Sequence, residues 1–197
     1  MATDTRNPTS DEGFSGIVDG TGGLRYTDVD DYPDTGAGRT VRTFGPSILA
    51  ANITFGFTAF SVPTGSTSIS IDVLYHDETS GATTLGGRLK VGGNYYNATE
   101  HSVSTLTARD DAWATNPKSA SAWTVDDVNG VGTNALQAFG VRTSDCNPAV
   151  KISDILLQVT YTPPTTHIKS INGLANASIK SVNGLARASI KSINGLT

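Results

Sequence analysis

The sequence predicts an all-β protein, an antiparallel β-sandwich followed by a short extended β-type repeat tail. Short segments with alternating apolar residues recur along the chain, and turn residues separate them. The composition agrees, because 21 glycines and only 16% charged residues favour strands and turns over long helices. Three near-copies of one unit close the chain. We therefore predict a flexible N-terminal arm (1–13), a β-sandwich domain (14–163) and an assembly tail (164–197).

The strand predictions follow the apolar alternation in chain order. The segments with this pattern are 52–58, 68–75, 88–91, 95–96, 139–142 and 152–161. The first two place on one face the side chains of Ile53, Phe55, Phe57, Ile69, Ile71, Val73 and Tyr75. In the last segment, Val150 and Ile152 have the opposite parity to Ile155. This change of parity predicts a β-bulge near Ser153 and Asp154.

The long segment 113–129 interrupts the alternation. Within it, Thr124 is followed by two aspartates two and three residues later, which predicts a cap for one short helical turn. Pro163 and Pro164 predict the end of the last strand, because proline has no amide hydrogen to donate to a sheet.

The tail repeats an 11-residue unit that starts at Ile168, Ile179 and Ile190. Each unit contains Asn-Gly, the strongest two-residue hairpin signal, and the predicted repeat turns are Asn172, Gly173, Asn183, Gly184, Asn194 and Gly195. The apolar residues also fit the 3-4-4 spacing of a helical supercoil. Glycine costs a helix about 1 kcal/mol against alanine and β-branched residues lower helix propensity further, so extended segments are favoured.

Strands this short cannot cover their own edges or apolar side chains, so the tail is expected to associate with other chains. The predicted assembly seam is Ile168, Ile171, Leu174, Ile179, Val182, Leu185, Ile190 and Ile193. If the tails of several copies intertwine, the protein is a homo-oligomer, with a trimer favoured. Alternatively, the tail could add as a strand to a neighbouring subunit. A floppy linker of low complexity is the remaining alternative.

Charge divides the chain and excludes some partners. The tail carries four basic residues and no acid, whereas the body carries 10 basic and 18 acidic residues, a net charge of −8. Phosphate binding needs a basic face, so an acidic body argues against nucleic acid. No apolar run is long enough to span a membrane, and the N-terminus shows no secretory signal.

Residues for catalysis or metal binding are sparse. The three histidines are scattered, and neither a Gly-x-Ser-x-Gly elbow nor a phosphate loop is present. The sequence therefore predicts no enzyme activity and no cofactor. The candidate calcium ligands are Asp28, Asp30, Asp31 and Asp34, although the EF-hand spacing is missing and a solvated acidic loop explains them equally well.

Aromatic residues form the candidate glycan contact, because flat rings pack against the faces of sugar rings. Trp113 and Trp123 lead this prediction, and Tyr95, Tyr96 and Tyr32 are named with them. The alternative is that both tryptophans anchor the long loop over the core.

Segments of the predicted sandwich, and the repeats of the tail, resemble a known kind of protein. An apolar corner with Pro-x-Gly (57–66), and the segments 122–129, 139–142 and 156–161, resemble jelly-roll-like β-sandwich domains of tailed-phage structural proteins and some bacterial surface proteins. The Ile-Lys-Ser-Ile-Asn-Gly-Leu-Ala repeats are similar to those of phage fibre-like proteins. The resemblance supplies no catalytic residues.

The resemblance implies a virion structural protein, such as a fibre, head decoration or tail-associated subunit, that contacts itself and other virion proteins. Such a protein is expected to be assembled in the host cytoplasm and released by lysis. The alternative is a carbohydrate-binding adhesion module of a surface or host-attachment protein.

Overall fold

A computed structural model gives the fold of the chain. It describes residues 1–15, 25–30, 32–33, 42–44, 51–79, 83–103, 105–145, 150–164, 170–171, 174–175, 181–182 and 185–186. The chain divides into two compact units, Met1–Pro163 and Pro164–Thr197.

The first unit contains nearly all of the described secondary structure. In chain order its elements are β1 (Ala2–Arg6), β2 (Ser10–Ser15), a 3₁₀ turn (Arg25–Asp28), β3 (Arg42–Phe44), β4 (Ala51–Gly56), β5 (Thr67–Thr79), β6 (Thr83–Val91), β7 (Asn94–Asn97), β8 (His101–Val103), β9 (Thr107–Trp113), β10 (Thr115–Asn116), β11 (Ser121–Ala122), α1 (Val125–Val128), β12 (Leu136–Thr143) and β13 (Val150–Thr162). The second unit contributes β14 (Ser170–Ile171), β15 (Leu174–Ala175), β16 (Ser181–Val182) and β17 (Leu185–Ala186).

Two sheets form the sandwich. Sheet I has the strand order β1-β13-β5-β9, with β3 also paired to β13. Sheet II has the order β2-β4-β12-β6-β7, with β8 also paired to β6. The chain passes between the sheets from β1 to β2 and from β5 to β6, and every described strand pair is antiparallel. The predicted fold class, an antiparallel β-sandwich, is confirmed.

The core lies between the two sheets and is built from the alternating residues that face inward. Its largest fully buried side chains are Tyr75, Phe55, Phe139, Ile53, Ile71, Leu85, Leu89, Leu136, Ile152, Ile155 and Leu157. Burial of each such side chain contributes about 1.5–3 kcal/mol. Phe57, predicted to lie in a strand, follows the end of β4 and packs its ring against Phe60 and Phe139, with centroids 5.5 and 6.0 Å away.

Three local predictions are confirmed. The pairing register of β13 with β5 shifts between Ile152 and Asp154, which is the predicted bulge. Thr124 caps α1 in a capping box: its Oγ1 accepts from the Asp127 amide at 3.1 Å, and the Asp127 carboxylate accepts from the Thr124 amide at 3.1 Å. β13 ends at Thr162, directly before the proline pair.

The N-terminal residues are not the loose arm that their polar composition predicts. Ala2–Arg6 pairs with β13 at the edge of sheet I, and Ser10–Ser15 pairs with β4 at the edge of sheet II. An edge strand needs few apolar side chains, so composition alone does not reveal it. Arg6 anchors the segment, since its Nε donates to the Thr58 carbonyl at 3.0 Å and its guanidinium lies 4.6 Å from the Phe60 ring centroid.

The tail contains two short hairpins in the same register, one repeat apart. Ile171 pairs with Leu174, and Val182 pairs with Leu185. The remaining seam residues and the predicted Asn-Gly turns, namely Ile168, Ile179, Ile190, Ile193, Asn172, Gly173, Asn183, Gly184, Asn194 and Gly195, lie outside the described residues. The assembly seam therefore stays a prediction.

Candidate functional site

The outer face of sheet II carries an unusual combination of glycines and polar side chains. Directly paired residues of neighbouring strands point to the same side of a sheet. The pairing therefore builds one row across all five strands, Gly13, Thr54, Gly140, Arg88 and Asn97. A second row beside it contains Ser10, Gly56, Ala138, Lys90 and Tyr95. The floor of this face is consequently small residues, with longer polar side chains around them.

Gly140 sits in the middle of the first row, where the backbones of β12 and β4 come unusually close. A Cβ added there would lie 2.8 Å from the Thr54 Cα and closer still to the Ile53 carbonyl oxygen. Only a residue without a side chain fits this approach. The glycine therefore leaves bare backbone at the centre of the face.

The face is concave. β2 and β7 are the opposite edges of the five-strand path, which in a flat sheet would separate them by about 19 Å, four strand spacings. Yet the Tyr95 hydroxyl on β7 lies 3.7 Å from the position that a Cβ on Gly13 of β2 would take. A tyrosine side chain spans far less than the flat distance, so the sheet curves around it. We call this concave outer face the sheet II groove.

Two polar atoms in the floor of the groove are buried without a partner. Thr54 is only 1% exposed, and its Oγ1 has no hydrogen-bond partner among the described residues. The Arg88 Nε is also buried and unpartnered within that part of the chain. Thr54 and Arg88 flank Gly140 on either side. Leaving a buried polar group unpaired costs about 1–3 kcal/mol, and a ligand in the groove could supply the missing hydrogen bonds to both atoms.

Tyr95 lies across the groove above these atoms. It remains 41% exposed, although the Arg88 guanidinium lies 3.9 Å and the Lys90 ammonium 5.8 Å from its ring centroid. Because the side chain starts on β7 and ends beside Gly13, it passes over the residues between them. Burial lowers the pKa of Arg88, the charge of Arg142 lowers it further, and Tyr95 opposes both effects.

Glu100 closes one end of the groove. Burial raises the pKa of this carboxyl, but hydrogen bonds from Ser144 and Thr84 and the charge of Arg142 outweigh it, so the pKa is lowered. The carboxylate accepts from Arg142 at 3.2 Å, from the Ser144 hydroxyl at 2.5 Å and from the Thr84 hydroxyl at 2.5 Å. Glu100 therefore compensates Arg142. A second carboxylate, that of Glu12, lies over Gly56 at the edge strand.

The groove is supported from the sandwich interior by Asp111 of sheet I. Its carboxylate accepts from the Gly87 amide of sheet II at 2.6 Å and from the Tyr75 hydroxyl at 2.8 Å, and it contacts His101 Nε2 at 2.6 Å. A Cβ on Gly87 would lie 2.9 Å from the Asp111 Cβ, so glycine permits the close approach of the sheets. Burial, and then the charge of Asp111, raise the pKa of Tyr75, which keeps its hydroxyl protonated as the donor.

The predicted aromatic platform does not form. Trp123 is 4% exposed in the core and donates its indole N–H to the Trp113 carbonyl at 2.9 Å, while the Trp113 side chain packs against the core from β9. Both rings therefore face inward, and the candidate glycan contact at these two tryptophans stays a prediction that this placement does not favour. Tyr96 also packs against the core, and Tyr32 lies against His76 of sheet I. Tyr95 alone of the five lies in the groove.

The calcium prediction falls largely outside the described residues. Asp31, Asp34 and the side chain of Asp28 are not described, and Asp30 is half-buried. Within the described ranges, no group of three His, Cys, Asp or Glu residues could hold a metal ion. In the same part of the chain, no helix is long and apolar enough to cross a membrane.

The sequence did contain a signal for the groove. Gly56, Gly86 and Gly140 occupy outward positions within strands, where glycine weakens a sheet unless a close approach requires it. Only the pairing shows that such positions, with Arg88 and Thr54, meet on one face.

Fold and groove together define an all-β antiparallel sandwich with a concave polar face. No protein family matches the sequence, and no curated protein matches it. Among solved structures, the C-terminal CBM6 of LamC, a marine laminarinase from Zobellia galactanivorans, has a TM-score of 0.42 and 11% identity over 81% of this chain and 99% of that one. The structure of PfGH50B has a TM-score of 0.45 and 9% identity over 79% of this chain and 23% of that one. Both TM-scores lie below 0.5, so neither similarity bears on function.

Proposed function

We propose that the sandwich is a carbohydrate-binding domain whose ligand lies in the sheet II groove. The observation that carries the proposal is the pair of buried, unpartnered polar atoms, Thr54 Oγ1 and Arg88 Nε, on either side of Gly140. This differs from the virion structural role that the sequence resemblance favours and agrees with the alternative, a glycan-binding module.

The chemistry of the floor suits a sugar. A sugar hydroxyl both donates and accepts, so one sugar unit can accept from the Arg88 Nε and exchange hydrogen bonds with the Thr54 hydroxyl. Gly140 leaves backbone in place of a side chain between them, which gives a ring room to approach. Specific ligand sites combine such a small number of directed polar groups with apolar contact area.

Tyr95 supplies the apolar contact. Its ring combines a flat apolar body with a polar hydroxyl, which suits a ligand that presents both C–H groups and hydroxyls. Because the ring now lies across the groove, we expect the side chains of Tyr95 and Arg88 to change rotamer on binding. Rotamer changes of this kind are common when a site is filled, whereas backbone shifts are small.

Replacing Tyr95 with alanine should weaken binding to a polysaccharide about tenfold or more, since an aromatic anchor of this kind contributes at least about 1.4 kcal/mol. Tyr95→Phe should retain most of the affinity because it keeps the ring. Affinity electrophoresis against a panel of neutral and acidic polysaccharides, followed by calorimetry on the best ligand, measures both variants.

Val131→Ala is the control, because Val131 is exposed in the loop between α1 and β12 and belongs to neither row of paired residues on the sheet II face. The proposal is rejected if the unaltered protein binds nothing in the panel, or if Tyr95→Ala binds as tightly as the unaltered protein.

A second candidate function is assembly through the tail, and the two hairpins favour it. Each hairpin contains only two pairs of residues. An isolated hairpin is only marginally stable in water even when its strands are much longer. Strands so short gain stability from other copies of the tail. The placement of such an assembly in a phage particle rests on the sequence resemblance alone, and the trimer stays a prediction.

Deleting 164–197 should leave the melting temperature of the sandwich within a few degrees of its original value, because Met1–Pro163 forms a compact unit with its own core. The same deletion should convert an oligomer to a monomer. Differential scanning calorimetry and size-exclusion chromatography with light scattering give the two values. A full-length chain that is already monomeric, or a truncated chain that stays oligomeric, would contradict an assembly role.

A further inference from the structure

Two cations in the sheet II groove differ from the other basic residues whose side chains the structure describes. Arg88 and Lys90 have no carboxylate partner among the described residues. The other lysines and arginines with described side chains do have partners: Arg6 with Asp4, Arg109 with Asp77, Arg142 with Glu100, Lys151 with Glu78, and Lys118 with the Gly92 and Thr133 carbonyls.

The lack of a partner at Arg88 is costly in its surroundings. The guanidinium is half-buried, its Nε is buried and has no partner among the described residues, and the charge of Arg142 also disfavours its ionised form. A partly buried charge without a counter-ion is unfavourable, and an anion that enters the groove would supply that counter-ion. The planar guanidinium also binds two oxygens of a carboxylate or sulfate at once.

The carboxylates of the groove do not act as counter-ions to Arg88 and Lys90. Glu100 accepts hydrogen bonds from Arg142, Ser144 and Thr84. Glu12 lies over Gly56, on the β2–β4 side of the sheet, whereas Lys90 and Arg88 lie on β6 with β12 in between. The local charge balance therefore favours a negative group near β6, although the whole chain has a net charge of −4.

We infer that the groove selects an acidic polysaccharide, one whose sugar units carry a carboxylate or a sulfate that binds Arg88 and Lys90. This inference rests on the proposed carbohydrate-binding function and adds the class of ligand. The anionic group would take the Arg88 Nε–H as one of its donors, and the sugar ring would contact Tyr95. Neutral sugars would use the same floor without that charge-assisted contact.

The test uses polysaccharides that share a backbone and differ in charge. De-esterified and fully methyl-esterified homogalacturonan compare a carboxylate with its neutral ester, and dextran sulfate and dextran compare a sulfate with a hydroxyl. We expect the full-length protein to bind one acidic form about tenfold more tightly than its neutral counterpart, the gain of one charge-assisted contact. The preference should shrink as salt is raised. The pair of polysaccharides with the larger acidic-to-neutral affinity ratio shows whether the groove prefers a carboxylate or a sulfate.

Three variants locate the effect. Arg88→Gln should reduce the acidic-to-neutral ratio to about twofold or less, and Lys90→Gln should lower it partly. Glu12→Gln should raise the ratio, because it removes a negative charge from the groove. Lys151→Gln is the control for Lys90→Gln, because it also removes one positive charge, but from sheet I, where Lys151 pairs with Glu78. It should leave the acidic-to-neutral ratio unchanged. If circular dichroism shows that Arg88→Gln is unfolded, the opposite changes in Lys90→Gln and Glu12→Gln decide the question.

The outcomes separate the two proposals. Equal binding of acidic and neutral partners by the unaltered protein overturns the acidic preference and leaves carbohydrate binding in place. An acidic preference that survives in Arg88→Gln and Lys90→Gln alike overturns the assignment to this groove. Failure to bind any polysaccharide, acidic or neutral, rejects both the inference and the proposed function.

Discussion

Gly140→Ala should destabilise the sandwich by about 3 kcal/mol, a large effect for one methyl group. The added Cβ would lie 2.8 Å from the Thr54 Cα and closer still to the Ile53 carbonyl oxygen, and both are backbone atoms of the paired strand. A flexible side chain could move aside, but a paired backbone can yield only by separating β4 from β12. Those strands carry Ile53, Phe55 and Phe139, so the strain reaches the core. Urea denaturation followed by tryptophan fluorescence measures the loss.

Gly13→Ala is the matched control, because Gly13 occupies the same row at the sheet edge. Its Cβ would meet only the Tyr95 hydroxyl, at an ordinary contact distance of 3.7 Å, so stability should stay equal or rise slightly. Equal stability of the two alanine variants would show that β4 and β12 are not held in close approach at Gly140. The groove floor would then lack the close strand approach that exposes bare backbone at its centre.

The inward faces of the strands could be predicted because they depend on a local pattern. Ile53 and Phe55 in β4, and Ile69, Ile71, Val73 and Tyr75 in β5, alternate with polar residues, and all of them are buried. The cap of α1 and the bulge in β13 follow from equally local signals, a capping residue and a change of parity. Each depends on residues within a few positions of one another.

The groove could not be predicted in this way because it depends on which strands are neighbours. Thr54, Arg88 and Gly140 come from three strands that are far apart in sequence, and the unusual outward glycine does not by itself indicate which residues lie beside it. The placement of the tryptophans also depends on pairing: composition makes Trp113 and Trp123 candidate ligand contacts, but the pairing of β9 with β5 puts Trp113 beside Ile71, facing the core. The pairing of the polar N-terminus could not be predicted for the same reason, because its partner, β13, lies at the far end of the domain.

Asp111→Ala should destabilise the protein by about 4 kcal/mol. The substitution leaves the Gly87 amide and the Tyr75 hydroxyl without their acceptor, and each unsatisfied buried donor costs about 1–3 kcal/mol. It also removes the contact between sheet I and β6 at Gly87, the residue next to Arg88. Ligand binding in the groove should therefore weaken even under conditions in which the variant is still folded. Tyr75→Phe removes one donor together with its need for an acceptor and should cost about 1 kcal/mol.

Asp110→Ala tests whether this loss comes from the buried bonds or from charge. Asp110 is the next residue on β9 and carries the same charge, but its side chain is exposed on the outer side of sheet I, beside Leu74. Its charge raises the pKa of Asp72, so its removal should change stability little and in the favourable direction. Paired thermal melts of the two variants separate the explanations. A similar loss in both would assign the effect to the charge of β9 and not to the bonds that Asp111 makes across the core, because only Asp111 reaches Gly87 and Tyr75.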